Sequence, residues 1–97
     1  MPILATAEFE VKPEKLTEFL PWLHEALKDT RAFKGCISVD SHVELSTANV
    51  FLVEKWESKE DNDAYYKWRN ETGLMGALEP WLEGKFIARK FEMKEDV

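Results

Sequence analysis

The chain is poor in the residues that most chemistry needs. It has one cysteine, two histidines and four glycines among 97 residues. A lone Cys36 excludes an internal disulfide and cannot build a metal site by itself. Following Gly35 at a predicted strand start, it reads as a small buried residue. There is no Gly-rich phosphate loop, no Walker motif and no Ser-His-Asp signature. No cysteine stands at metal-ligand spacing from His24 or His42. No apolar run approaches the ~20 residues that span a bilayer. Basic excess is also missing: the net charge is -6, which argues against nucleic acid or an anionic membrane as partner. Met1-Pro2-Ile3-Leu4 has no basic n-region and no cleavage pattern, and a cytoplasmic protein is the expectation.

What is present is bulk, including four tryptophans, and clear periodicity. The length suits one domain over 1–97. Ile3 to Val11 alternates as a strand, with Ile3, Ala5, Ala7, Phe9 and Val11 on one face. Lys12-Pro13-Glu14-Lys15 opens a helix, with Pro in the first turn and Glu at the positive end of the dipole. Its stripe of Leu16, Phe19, Leu20, Leu23, Ala26 and Leu27 runs toward Arg31 or Phe33. Trp22 and His24 fall on opposite flanks of that stripe, both half-buried. Lys34-Gly35 closes the helix. Cys36 to Leu45 alternates as a half-exposed strand, and Ser46 to Asn49 turns it into the next.

Val50 to Glu57 carries apolar bulk on both faces, with Val50, Leu52 and Trp56 on one and Phe51 and Val53 on the other. Such a strand belongs in the middle of a sheet. Ser58 caps the helix that follows, with Asp61 three residues on. A second short helix spans Leu74 to Leu82, weakened by Pro80, and a last strand spans Lys85 to Met93. The order β-α-β-β-α-β gives an α+β, ferredoxin-like four-stranded antiparallel sheet with helices on one face and the first and third strands central. The other face then carries apolar residues with nothing over them. A homodimer packed sheet against sheet would cover them.

Two clusters hold candidate chemistry. His42 shares a polar strand face with Asp40 and Glu44, at period two. That suits a general base held by a carboxylate or a weak metal site, but such a pattern is more often simply a solvated strand face. Trp56, Tyr65, Tyr66, Trp68 and Arg69 set flat rings around a few polar groups, the ingredients of a pocket for a flat, mostly apolar ligand. Arg69 suits a phenolate or carboxylate. Tyr65 and Trp68, at i and i+3, equally suit a helix anchored to its sheet.

Thr30-Arg31-Ala32-Phe33-Lys34-Gly35-Cys36 resembles the T-R-x-E-P-G-C stretch of the antibiotic biosynthesis monooxygenase superfamily. Val53-Glu54-Lys55-Trp56-Glu57-Ser58 resembles its V-E-x-W-E-S stretch. The likeness covers essentially the whole chain in length and element order. It implies a dimeric α+β barrel with a pocket between sheet and helices. It also implies an oxidoreductase, a cofactor-independent monooxygenase that oxidises a small quinol or polyphenol-like aromatic substrate with dioxygen. Relatives of this kind use neither metal nor flavin, and the protein supplies orientation, deprotonation and a dry cavity. Trp56 matches the family Trp at the end of the third strand. Tyr65 stands where many relatives carry His and haem-degrading ones carry Trp. Trp56 and Tyr65, with His42 in reserve, are the catalytic candidates the resemblance implies, and Tyr66, Trp68 and Arg69 the substrate-binding ones. An isomerase for a small hydroxy-carbonyl compound, or a non-catalytic small-molecule-binding dimer, is the alternative.

Overall fold

The computed structural model describes residues 1–97. Its elements are β1 (Ile3–Val11), α1 (Leu16–Ala32), β2 (Cys36–Val43), β3 (Asn49–Trp56), α2 (Lys59–Glu71), α3 (Leu74–Leu78) and β4 (Leu82–Glu92). Single 3-10 turns at Pro13–Lys15 and Glu79–Trp81 lead into α1 and β4. The strands form one antiparallel sheet in the order β2-β3-β1-β4. This is the expected α+β, ferredoxin-like arrangement, with β1 and β3 central. No helix is long and apolar enough to cross a membrane.

Register decides what each face carries. Ala7 pairs with Leu52, Phe9 with Val50 and Ala5 with Glu54, and Phe9 also pairs with Phe86 across β4. These residues face the helices. Phe19, Leu23 and Leu27 descend on them from α1, and Leu78 from α3, to make the main core. A smaller core of Ala5, Trp56 and Tyr65 lies under α2, flanked by Phe33 and Trp68. The opposite face carries Leu4, Thr6, Phe51, Val53, Ile87 and Phe91, interspersed with Glu8, Lys55 and Arg89, with no helix over it.

Several boundaries differ from the sequence expectation for local reasons. β2 stops at Val43, because Glu44 to Ala48 turn the chain and Leu45 is fully exposed. The short helix after Gly73 stops at Leu78, and Pro80 sits in a 3-10 turn instead. Proline has no N–H for a further helical bond. β4 begins at Leu82, three residues early, because Leu82 already pairs with Val11 beyond a bulge. His24, expected to be half-buried, is exposed, whereas Trp22 packs on Phe19 and Trp81 at the core's edge.

The capping expectation holds. Ser58 Oγ accepts from the Asp61 backbone N–H at 3.1 Å. Gly35, at φ +89°, has room for no side chain, since a Cβ there would meet Asp61. The tight α1–β2 turn and the start of α2 therefore lie against each other. Glu57 N–H donates to Gly35 C=O at 2.8 Å and locks the end of β3 to that turn.

Candidate functional site

α1 and α2 are tied by a buried polar knot. Thr30 continues the α1 stripe by one turn and is fully buried. Its Oγ1 lies 2.7 Å from the Tyr65 hydroxyl. Arg69, one turn after Tyr65 on α2, donates from Nε to the Tyr65 hydroxyl at 2.8 Å. Its Nη2 donates to Thr30 Oγ1 at 3.0 Å and to Ala26 C=O at 2.7 Å. Both hydroxyls thus accept from Arg69, and one O–H proton lies between them. The other O–H is left to donate elsewhere. The Arg69 guanidinium lies 4.8 Å from the Trp68 ring centre and 5.3 Å from that of Tyr65. None of the four ion pairs in the molecule includes Arg69. It is a partly buried cation that makes no ion pair.

Beside this knot a cavity of about 100 Å³ opens between sheet and helices. Phe9, Leu23 and Leu78 form its floor and Trp22 and Leu74 its sides, with Tyr65 and Arg69 at the polar end. Thr72, Gly73 and Ala77 line its mouth and are exposed.

Behind Tyr65 lies Trp56, fully buried, with ring centres 5.1 Å apart. Its Nε1–H donates to Glu54 Oε1 at 2.9 Å. Glu54 is 2% exposed. Burial pushes its carboxyl above the usual range, opposed by the Trp56 hydrogen bond and by the pull of Arg69. Burial also pushes the Tyr65 phenol up, against its bonds to Thr30 and Arg69. Tyr66 is pushed up further, first by burial and then by Glu54 and Tyr65. Both phenols therefore stay protonated at neutral pH and do not serve as bases. Asn62, one turn earlier on α2, is wholly buried with neither amide atom hydrogen-bonded.

Five of the six candidate residues come together and one does not. Tyr65 and Arg69 line the cavity. Trp56 backs Tyr65 without lining the cavity, so it supports the wall rather than forming it. Tyr66 packs on the other side of Tyr65, with ring centres 5.2 Å apart, and reaches Phe86. Trp68 covers Arg69 and touches Phe33. His42 is on the opposite sheet face, exposed, with Nδ1 3.2 Å from Phe51 C=O. It lines a separate cleft with Glu8 and Glu44. No three His, Cys, Asp or Glu side chains converge as metal ligands.

Glu54, Asn62 and Thr30 are additions to the sequence reading. Each carried a signal. Glu54 shares parity with Val50, Leu52 and Trp56, Thr30 follows Leu23 and Leu27 at helical spacing, and Asn62 precedes Tyr65 by three.

Comparison with known proteins agrees with this geometry. The family model for antibiotic biosynthesis monooxygenase matches residues 2–73. No curated protein matches the chain. Among solved structures, a conserved protein from Methanosarcina mazei Go1 is similar at 22% identity and TM-score 0.83, over 97% of this chain and 94% of that one. A Mycobacterium tuberculosis protein is similar at 18% identity and TM-score 0.83, over 98% and 97%. A structure described as an antibiotic biosynthesis monooxygenase is similar at 18% identity and TM-score 0.80, over 95% and 98%. These likenesses carry the fold. The match to the family model carries the family: the chain belongs to the antibiotic biosynthesis monooxygenase family, and that membership supports a general monooxygenase-like role.

Proposed function

We propose that the chain is a cofactor-independent monooxygenase acting on a small phenol or quinol with a single ring. The observation that carries the reading is Arg69: a cation in no ion pair, beside the Tyr65 hydroxyl, at one end of an otherwise apolar cavity. An apolar cavity of roughly 150 Å³ holds a benzene molecule. About 100 Å³ therefore accommodates one ring with slight opening at the mouth, not a fused polycycle.

The ring would lie on Phe9, Leu23 and Leu78 with its oxygen toward Tyr65 and Arg69. Arg69 favours the phenolate, and the free O–H of the Tyr65–Thr30 pair donates to it. A phenolate is electron-rich enough to reduce dioxygen. One oxygen atom becomes the product carbonyl and the other leaves as water. The substrate supplies both electrons and both hydrogens, so no external reductant is needed. A dry cavity protects the intermediates from water.

The test is oxygen consumption by metal-stripped protein with a panel of hydroquinones and phenols. Uptake with one-ring substrates, lost in Arg69→Met while the fold persists, is expected. No uptake with any of them would sink the reading. Anaerobic turnover of a hydroxy-carbonyl compound would assign isomerase chemistry to the same cavity. The uncovered sheet face supports a homodimer, sheet against sheet, as the working form.

A further inference from the structure

The hydroxyls of Thr30 and Tyr65 each bring one proton and two lone pairs to the knot between α1 and α2. Arg69 Nε fills one lone pair of the Tyr65 oxygen at 2.8 Å, and Nη2 one of Thr30 Oγ1 at 3.0 Å. The two oxygens stand 2.7 Å apart, so one proton lies between them and the other must find an acceptor elsewhere. Their surroundings decide which is which. Thr30 is wholly buried, and Oγ1 bonds to Tyr65 and Arg69 alone. It does not donate back to Ala26 C=O, one turn earlier on α1, which accepts from Arg69 Nη2 instead. A Thr30 proton turned away from Tyr65 would be buried without an acceptor, at the full cost of its desolvation. Tyr65, by contrast, lines the cavity, and its proton can be met there by a ligand.

We propose that Thr30 is a positioning residue: its hydroxyl donates to the Tyr65 oxygen and so turns the Tyr65 O–H toward the oxygen of a phenolate in the cavity. The inference rests on the reading of the cavity as a phenol site. Thr30 is not among the lining residues, and it acts through Tyr65.

Tyr65 then accepts from two donors and gives its own proton to the ligand. Each accepted bond polarises the phenol and makes its O–H a stronger donor. The same pull is seen on its ionisation: burial pushes the Tyr65 phenol up, and the bonds from Thr30 and then Arg69 draw it back. Arg69, the only charged residue lining the cavity, is anchored on Ala26 C=O at 2.7 Å and keeps that anchor when the Thr30 hydroxyl is removed.

The experiment uses 4-nitrophenol, a one-ring phenol with a coloured anion, and reads the pKa of the bound ligand by absorbance. Wild type should hold that pKa below its value in water. Thr30→Val, which keeps the shape and removes the hydroxyl, should raise it by about half a unit, a roughly threefold loss of preference for the anion. Thr30→Ser should restore the wild-type value. In a Tyr65→Phe background, Thr30→Val should shift it no further, a result that loss of packing alone would not give. Proton NMR of wild type reads the same arrangement without a variant. The buried Thr30 hydroxyl proton should show an Overhauser contact to the Tyr65 ring, and only the Tyr65 hydroxyl proton should move downfield on adding 4-nitrophenol. Equal bound pKa in wild type and Thr30→Val, the same shift with and without the Tyr65 hydroxyl, or movement of the Thr30 proton in place of Tyr65's overturns the positioning role alone. Failure of 4-nitrophenol to bind folded wild type, or binding with its pKa not lowered, overturns the phenol cavity and the positioning role with it.

Discussion

Between Leu52 and Trp56, β3 buries a carboxylate whose one hydrogen bond comes from an indole. Its pKa is raised by burial above that of the unfolded chain. An acid raised in this way binds more protons folded than unfolded, so stability falls as pH climbs from the unfolded pKa through the folded one. Glu54→Gln removes that penalty and keeps the acceptor. Denaturant titrations should find it more stable than wild type at pH 8, with the gap closing as pH is lowered toward 5. A gap that stays constant with pH would place the burial cost elsewhere. Asn62 poses the same question without charge. Its two unpartnered amide atoms each forfeit roughly 1 kcal/mol or more. Asn62→Leu, of similar shape, should stabilise by about 1 kcal/mol, seen as a rise in midpoint at unchanged slope. Destabilisation would mean that the amide has a partner beyond the protein's own atoms. These two residues also mark where sequence reading ran out. Parity put Glu54 on the core face, but a strand pattern weighs a lone acid as an exception rather than as a buried group. The aromatic residues around it were legible because rings at helical spacing announce a packed face. Their division into cavity lining and support was not. It depends on which ring stands in front, and only the fold sets that.

At the scale of elements, the local chemistry spoke plainly. Ser58 as cap, Gly35 as stop and the two-sided bulk of β3 placed four strands in their order. What escaped was the join between non-neighbours. Gly35 and Gly73 both have positive φ, at +89° and +94°. A sequence cannot tell them apart, but their surroundings do. A Cβ at Gly35 would strike Asp61, while one at Gly73 meets nothing within 4 Å. Gly73→Ala therefore carries backbone strain only, about 1 kcal/mol. Gly35→Ala adds a clash at the start of α2 and should cost about 3 kcal/mol or more. Thermal unfolding should order the two variants that way. Equal losses would show that the α2 start yields freely to the turn. His42 is likewise an element-scale case. Its spacing with Asp40 was readable, but the face of β2 on which it sits separates it from the cavity by the thickness of the sheet.

The molecule as a whole is flat, 40 × 33 × 19 Å, one sheet and one layer of helices. A monomer of this mass is expected to expose about 5,700 Å², and this chain exposes 6282 Å². The excess is of the size that an uncovered sheet face would give. Four strands at about 4.8 Å spacing, nine residues long at about 3.3 Å each, present a face of roughly 19 by 30 Å. A stable interface removes about 800 Å² of accessible surface per partner, and a pleated, side-chain-bearing face of that plan can supply it. Val53 sits at its centre, beside Thr6 and Asp40. A carboxylate there would be solvated in a lone subunit and would set a second like charge beside Asp40 between two sheets. Val53→Asp should therefore leave the helical signal of the subunit intact and weaken self-association at least 100-fold, the effect of about 3 kcal/mol. Sedimentation equilibrium reads both forms directly, wild type at twice the chain mass and Val53→Asp at the chain mass in the micromolar range. Wild type at the chain mass under the same conditions would overturn the sheet-to-sheet dimer. The apolar set on that face would then need another cover. Because the cavity opens on the helix side, ligand binding by Val53→Asp should persist, separating assembly from the site.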